Sequence, residues 1–254
     1  MITLPDGQAR KRLDQALVDC GLFATRARSR DAILRGTVRV NGVISSKPAQ
    51  TVFPGNEIEV NDPGQAYVSR AALKLIAGLD HFGFELSGRT ALDIGASTGG
   101  FTQVLLERGV NRIYAIDVGR NQLHEQLVSD DRVISIEGLN ARDLGSAHLD
   151  DKKPGVVVSD VSFISIRLAL PPALALADDG AVGVFLVKPQ FESGHEAIGK
   201  GGLLKDPDLG AQIADDLSGW LAASPGWHSL GICPSPIAGG DGNHEFLLGG
   251  KKDR

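Results

Sequence analysis

A glycine-rich break between two apolar runs, Thr90-Ala-Leu-Asp-Ile-Gly-Ala-Ser-Thr-Gly-Gly-Phe101, most narrowly limits what this chain can become. Ala91, Leu92 and Ile94 form the first run, and Phe101-Thr-Gln-Val-Leu-Leu106 resumes it after the turn. That order predicts a buried strand, a tight turn and a helix N-terminus. Glycines at 95, 99 and 100 let backbone approach a ligand that side chains would hold off. The next run, Arg112-Ile-Tyr-Ala-Ile-Asp117, ends in an acid about twenty residues on, where a carboxylate can accept both hydroxyls of a ribose. The pair reads as a nucleotide-binding βαβ unit, with a ligand-free strand–turn–helix as the competing reading.

The turn discriminates among nucleotides. A dinucleotide site needs G-x-G-x-x-G, whose second glycine lets a pyrophosphate lie against backbone. Ser97 holds that position, and no G-x-x-x-x-G-K-[ST] phosphate loop occurs in the chain. Asp93, just before the turn, is expected beside the ligand, where it would repel phosphate. A cationic ligand suits it better, and S-adenosylmethionine carries an ammonium and a sulfonium.

The α/β alternation continues. Val133-Ile-Ser-Ile136, Val156-Val-Val-Ser-Asp160 and Val182-Gly-Val-Phe-Leu-Val-Lys188 read as three further strands, and Asn140 beyond the first could meet an adenine edge. Ligands of open α/β sheets bind at the carboxyl ends of the strands, so Asp93, Asp117, Asp160 and Lys188 are expected on one rim. Helices are predicted over 164–177 and 206–223, and an antiparallel hairpin pairs 227–232 with 245–248. Ahead of the first strand, a helix capped by Ser69 turns Ala72, Leu75, Ile76 and Leu79 inward and leaves Lys74 off that stripe. The glycine-rich stretch 190–202 lacks a clear period and reads as a lid that RNA would order.

The first sixty residues are different. Between Arg10 and Lys47, nine lysines and arginines face three acids, a surplus of six, although the chain as a whole carries −5. A basic module on an acidic body suits a polyanion. Leu13, Ala16, Leu17 and Cys20 repeat at helical spacing up to Gly21, and Thr25 can cap a second helix on which Arg26 and Arg30 share a face. Asn41-Gly42 between apolar alternations predicts a hairpin. Arg12-Leu-Asp, Thr25-Arg-Ala-Arg-Ser-Arg30 and Gly36-Thr-Val-Arg-Val-Asn-Gly42 resemble the small αL-type RNA-binding module of a ribosomal protein, pseudouridine synthases and a tyrosyl-tRNA synthetase. Phosphate contacts are expected at Arg12, Arg26, Arg30 and Arg39; a solvated basic face without a partner is the alternative. The domains expected are therefore 1–62, a linker 63–66, and 67–254.

Composition excludes several classes. Two cysteines, Cys20 and Cys233, without a C-x-x-C and far apart, indicate neither a disulfide framework nor zinc, and six histidines lack ligand spacing. No metal is expected. Charge arrives at Asp6 and Arg10 before any apolar run, so no signal peptide is expected there. The longest apolar segment, 168–177, is split by Pro171-Pro172 and cannot span a bilayer as one helix. The expectation is a soluble cytoplasmic protein, its oligomeric state open.

Five ordered segments carry a family resemblance: Ser69-Arg-Ala-Ala-Leu-Lys74, Leu92–Thr102, Ser159-Asp-Val-Ser-Phe-Ile-Ser165, Leu186-Val-Lys-Pro-Gln-Phe-Glu192 and Gly242-Asn-His-Glu-Phe-Leu247. They resemble the TlyA family, an RNA-binding module followed by an FtsJ-like methyltransferase domain, many members of which are labelled haemolysins. The resemblance implies a Rossmann-like α/β fold. Its seven-strand sheet would be mostly parallel with an antiparallel C-terminal hairpin, preceded by a small α+β RNA-binding domain. It also implies S-adenosyl-L-methionine as donor, 2′-O-methylation of ribosomal RNA, and ribosomal RNA or a ribosomal subunit as partner. A Lys-Asp-Lys-Glu tetrad falls on Lys74, Asp160, Lys188 and Glu245. The donor is expected at Asp93, Gly95, Ala96, Ser97, Gly99, Gly100, Phe101, Asp117, Val118, Asn140 and Asp160. Two departures stand out: Ala71-Ala72 where the family often has Gly-Gly, and Arg120-Asn121 where it often has an aromatic.

The chemistry agrees. Methyl transfer to oxygen is an in-line displacement, so positioning does much of the work, and a ribose hydroxyl needs its proton polarised or removed. A lysine does this when a second lysine or desolvation lowers its proton affinity, and Lys74 and Lys188 read as such a pair, with Asp160 and Glu245 to orient them. Base-nitrogen methylation would place an Asn/Asp-Pro-Pro-aromatic run where Ser159-Asp-Val-Ser-Phe163 stands. Carbon-5 methylation needs a nucleophilic cysteine, and Cys233 reads as apolar filler. A cytolytic haemolysin and an RNA-binding protein on an inactive methyltransferase scaffold are the alternatives.

Overall fold

Short two-residue turns and a handful of apolar positions are all the first stretch of chain has to build with, and it forms a small α+β unit. In the computed structural model, which describes residues 1–4, 10–206 and 208–253, the chain divides into two units, Met1–Ala66 and Tyr67–Arg254. Asp6, and Pro207 within the helix expected from 206, lie outside the described residues.

The first unit runs β1 (Ile2–Thr3), β2 (Lys11–Arg12), α1 (Leu13–Asp19), α2 (Arg26–Leu34), β3 (Val38–Val40), β4 (Val43–Ile44), β5 (Thr51–Val52) and β6 (Glu57–Val60). Thr25 caps α2, its hydroxyl accepting from the Arg28 amide at 3.3 Å. Asn41 and Gly42 take φ of 49° and 77°, the left-handed pair that a two-residue β3–β4 hairpin requires. Four strands pair in the order β1-β6-β3-β4, and β2 pairs with β5. Leu13, Ala16, Leu17, Ala32, Ile33, Val38, Val52 and Ile58 fill the core between helices and sheet. The stretch 63–66 is one 3-10 turn.

The second unit runs α3 (Ala71–Phe82), β7 (Thr90–Ile94), α4 (Gly100–Glu107), β8 (Arg112–Asp117), α5 (Glu125–Val128), β9 (Val133–Glu137), β10 (Val156–Ser159), α6 (Ile166–Ala169), α7 (Pro171–Leu176), β11 (Val182–Val187), α8 (Pro189–Glu192), α9 (Leu209–Ala222), β12 (Trp227–Pro234) and β13 (Phe246–Lys252). Seven strands form one sheet in the order β12-β13-β11-β10-β7-β8-β9. The five strands from β11 to β9 are parallel, and β13 enters antiparallel between β11 and β12. Apolar side chains on both faces build two core clusters, one around Leu92, Phe185 and Trp227, the other around Leu75, Leu105 and Val158. The chain reverses its direction across the sheet between β7 and β10, and such a switch opens a crevice at the carboxyl ends of the strands.

Three expectations change here. The helix predicted over 164–177 is two helices, because Pro171 lacks an amide and restarts the backbone after Leu170. The stretch 190–202 is not structureless: α8 and two 3-10 turns occupy most of it, and Ile198 bridges to Leu204. Ser69 accepts from the Ala71 amide at 3.2 Å but precedes the helix cap, which is Arg70. Among the described residues no helix is long and apolar enough to cross a membrane.

Candidate active site

The glycine turn after β7 is shaped by what lies across from it. Gly95 has φ of 83°, and a Cβ there would stand 2.8 Å from the Asp160 carbonyl oxygen, so only glycine lets the turn lie against the end of β10. The Gly95 and Ala96 amides donate to Ile116 O at 2.8 and 3.1 Å, tying the turn to β8. At the end of β8, Asp117 accepts the Ser97 amide on one carboxylate oxygen (2.8 Å) and the Gly119 amide on the other (2.7 Å). Asn140 caps the following 3-10 turn, its Oδ1 accepting from the Arg142 amide at 3.1 Å.

A cavity of about 690 Å³ opens at this rim, with Gly95, Ser97, Asp117, Val118, Asn140 and Asp160 all in its wall. Gln122, Arg142 and Phe163 also line it, and sequence reasoning did not single them out. The other expected donor contacts lie underneath. Ala96 and Phe101 are buried in the core. Gly99 (φ 97°) and Gly100 are glycines for packing: added Cβ atoms would stand 2.2 Å from Leu127 Cδ1 and 2.9 Å from Ser69 Cβ.

Asp93 requires the largest correction. It is fully buried below the turn, where Thr102 Oγ1 donates to its Oδ2 at 2.7 Å and its Oδ1 has no partner among the described residues. Burial pushes its carboxyl up to about 7, with Thr102 pulling it back and the charges of Asp160 and Asp117 adding to the rise. The rim thus holds Asp117, Asp160 and Lys188, while Asp93 is one layer down, paired in register with Ala115 and Val158.

A second cavity, about 730 Å³, shares Ser162 and Phe163 with the first and is walled by Lys188, Phe191 and Glu245 among others. Lys188 lines the second cavity and is bonded to two residues that line the first, Asp160 and Ser162. Its Nζ is 2.6 Å from Asp160 Oδ1 as an ion pair, and it donates to Ser162 Oγ at 2.7 Å. Lys74 and Glu245, the other two residues of the expected tetrad, form a buried ion pair. Burial raises the Glu245 carboxyl, with Lys74 opposing first and Lys188 after it. The two lysines are therefore not left facing each other, because each has its own carboxylate. Lys74 was expected off the inward stripe of its helix, but α3 lies so close to the sheet that a Cβ at Gly78, one turn on, would stand 2.7 Å from Val184 Cγ1. That approach buries Lys74 as well.

In the first unit, Arg12, Arg26 and Arg30 line one groove with Leu34 and Pro48. Arg12 (Nη2, 2.8 Å) and Arg26 (Nε, 3.1 Å) both bond to the buried Asp14 carboxylate, which Arg12 chiefly holds below the usual carboxylate range. Arg39 is not in the groove lining; it is exposed on β3 and donates to Gly42 O at 2.9 Å. Cys233 is buried filler in the core, and burial pushes its thiol up.

Comparison with known proteins places these features. Residues 67–252 match the FtsJ-like methyltransferase family, and residues 11–58 match the S4 domain. The chain is 42% identical over 240 residues to the 16S/23S rRNA (cytidine-2′-O)-methyltransferase TlyA of Mycobacterium tuberculosis, covering 94% of this chain and 89% of that one. It is 40% identical over 236 residues to Hemolysin A of Brachyspira hyodysenteriae, covering 93% of this chain and 98% of that one. A solved structure from Streptococcus thermophilus, described provisionally as a hemolysin, superposes with a TM-score of 0.74 at 38% identity, covering 96% of this chain and 89% of that one.

Proposed function

Because the chain belongs to the FtsJ-like methyltransferase family and carries an S4 domain ahead of it, we propose that it methylates a ribose 2′-hydroxyl of ribosomal RNA with S-adenosylmethionine as donor. The observation that carries this reading is Lys188, which lines the second cavity and is fixed by Asp160 and Ser162, both in the wall of the first.

The first cavity suits the donor. Its wall has the glycine turn at Gly95 and Ser97, a carboxylate at Asp117 for ribose hydroxyls, and Asp160 as a second negative group suited to a cation. When bound, S-adenosylmethionine supplies an electrophilic methyl on a sulfonium. The second cavity suits the acceptor nucleotide. Its ribose would lie at Lys188, and the exposed ring of Phe163 offers the base a stacking face.

An ammonium has three donors, and Asp160 and Ser162 account for two directions about Lys188 Nζ. The third is left for the 2′-oxygen, so Lys188 polarises the hydroxyl or, when neutral, takes its proton. Glu245, held by Lys74, adds negative charge near Lys188 from the far side of the cavity. Arg12, Arg26, Arg30 and Arg39 supply phosphate contacts from the S4 domain, and the named activity of the Mycobacterium tuberculosis relative supports ribosomal RNA as the target. Such work belongs in the cytoplasm, with the ribosome.

The test replaces the target nucleotide with its 2′-deoxy form in otherwise native RNA. Methyl incorporation vanishes while the RNA still binds; continued methylation would mean that the acceptor is a base atom. Lys188→Ala and Lys188→Arg abolish turnover with donor binding retained, since a guanidinium keeps its proton. Donor binding without turnover on any ribosomal RNA would instead identify an inactive scaffold.

A further inference from the structure

Two segments leave adjacent parallel strands at the same rim: 160–165 after β10 and 188–192 after β11. They are joined twice. At the near end, Lys188 meets Asp160 and Ser162. At the far end, Glu192 accepts the Ser165 hydroxyl on Oε2 at 2.6 Å and the Ile166 amide on Oε1 at 2.8 Å. Between the joins, Phe163 lies against Phe191, ring centroids 5.0 Å apart.

Phe163 is under local strain. Its φ of 64° lies in the left-handed region, where an L-residue brings its Cβ against the following carbonyl, and the residue is 91% exposed. Burial of that ring therefore does not hold the conformation. The two joins over-determine it, as sustained backbone strain requires. Lys188 is the extended N-cap of α8 and Glu192 is its last residue, so one short helical turn separates the two side chains that hold the loop.

The geometry points to Glu192 as a positioning residue for the methyl transfer: it clamps the 162–165 loop in its left-handed bend and thereby keeps Ser162 against Lys188. It lines neither cavity. Released, Phe163 relaxes toward negative φ, Ser162 swings away, and Lys188 loses the acceptor that aims it. This inference rests on the proposed role of Lys188.

The test uses the full chain, ribosomal RNA purified from cells lacking the enzyme, and labelled S-adenosylmethionine. Glu192→Ala lowers kcat roughly 10- to 100-fold, as a small misplacement of a reacting group does, while donor Kd changes less than kcat does, because Gly95, Ser97, Asp117 and Asn140 of the donor wall lie outside the loop that moves and only Ser162, Phe163 and Ile164 belong to it. Glu192→Gln keeps an acceptor for Ile166 and a partner for Ser165, and retains activity within about threefold. Glu192→Asp keeps the charge but is too short to reach both partners, and loses activity as alanine does. In a Phe163→Gly background, where the left-handed bend is unstrained, the Glu192→Ala penalty shrinks to less than about threefold. If Glu192→Ala does not fold, the Gln and Asp variants still decide. Full activity of Glu192→Ala or Glu192→Asp, or an equal penalty in both backgrounds, overturns the inference. No methylation by the wild-type protein would instead overturn the proposed function.

Discussion

The carboxyl of Asp93 should leave a clear mark on stability. Its proton affinity rises from 3.8 to about 7 on folding because the group is wholly buried and Thr102 satisfies only one oxygen. A carboxyl raised in this way contributes stability that is fully present below the unfolded value, near 4, and is lost as pH climbs through the folded value, near 7. Above that, the folded protein must hold a buried carboxylate. A rise of about three pH units is worth about 4 kcal/mol in all, of which about 2–3 kcal/mol falls between pH 5 and pH 8. Asp93→Asn is the same size, still accepts from Thr102, and does not titrate. Its amide N–H pair lacks a partner, an offset that is constant with pH, so the slope and not the level carries the test. In urea unfolding at pH 5, 6, 7 and 8, the wild type should lose about 2–3 kcal/mol relative to the variant, a midpoint difference of about 1 M. Parallel pH profiles for the two proteins would refute the reasoning and mean that Asp93 does not titrate on folding.

Two further outcomes are expected. Lys74→Ala leaves the buried Glu245 carboxylate unpaired and should destabilise the second unit by about 3–5 kcal/mol, whereas Lys74→Met with Glu245→Leu should melt near the wild type and remain inactive. In the S4 domain, Arg30→Ala should weaken RNA binding and flatten its salt dependence by about 0.7–0.9 in log–log slope per lost phosphate contact; a filter-binding salt titration that matches the wild type would remove Arg30 from the interface.

Several features were legible in the sequence because they depend on local rules. Apolar runs ended by glycine or charge marked five parallel strands to within a residue or two, and Asn41-Gly42 marked a hairpin whose backbone only such residues adopt. The break at Pro171 was also legible, and the single helix expected across it neglected a missing amide. Charge at the strand ends located the rim, since α/β connections expose the carboxyl ends of the strands together. Ser162, Phe163 and Glu192 lay inside segments noted for their family resemblance, but nothing in their spacing signals a left-handed bend or what clamps it.

Depth and pairing were decided only by the tertiary structure. Periodicity tells which side of its own element a residue faces; it does not tell how closely the next layer approaches or what that layer brings. Lys74 lies off the apolar stripe of its helix, yet Gly78 lets α3 down onto the sheet and puts its ammonium beside Glu245, 171 residues away. Asp93 looked like a ligand contact because it precedes the turn. Its strand neighbours and Thr102 instead close over it, and desolvation, which is a property of the surrounding volume and not of the chain, sets its charge.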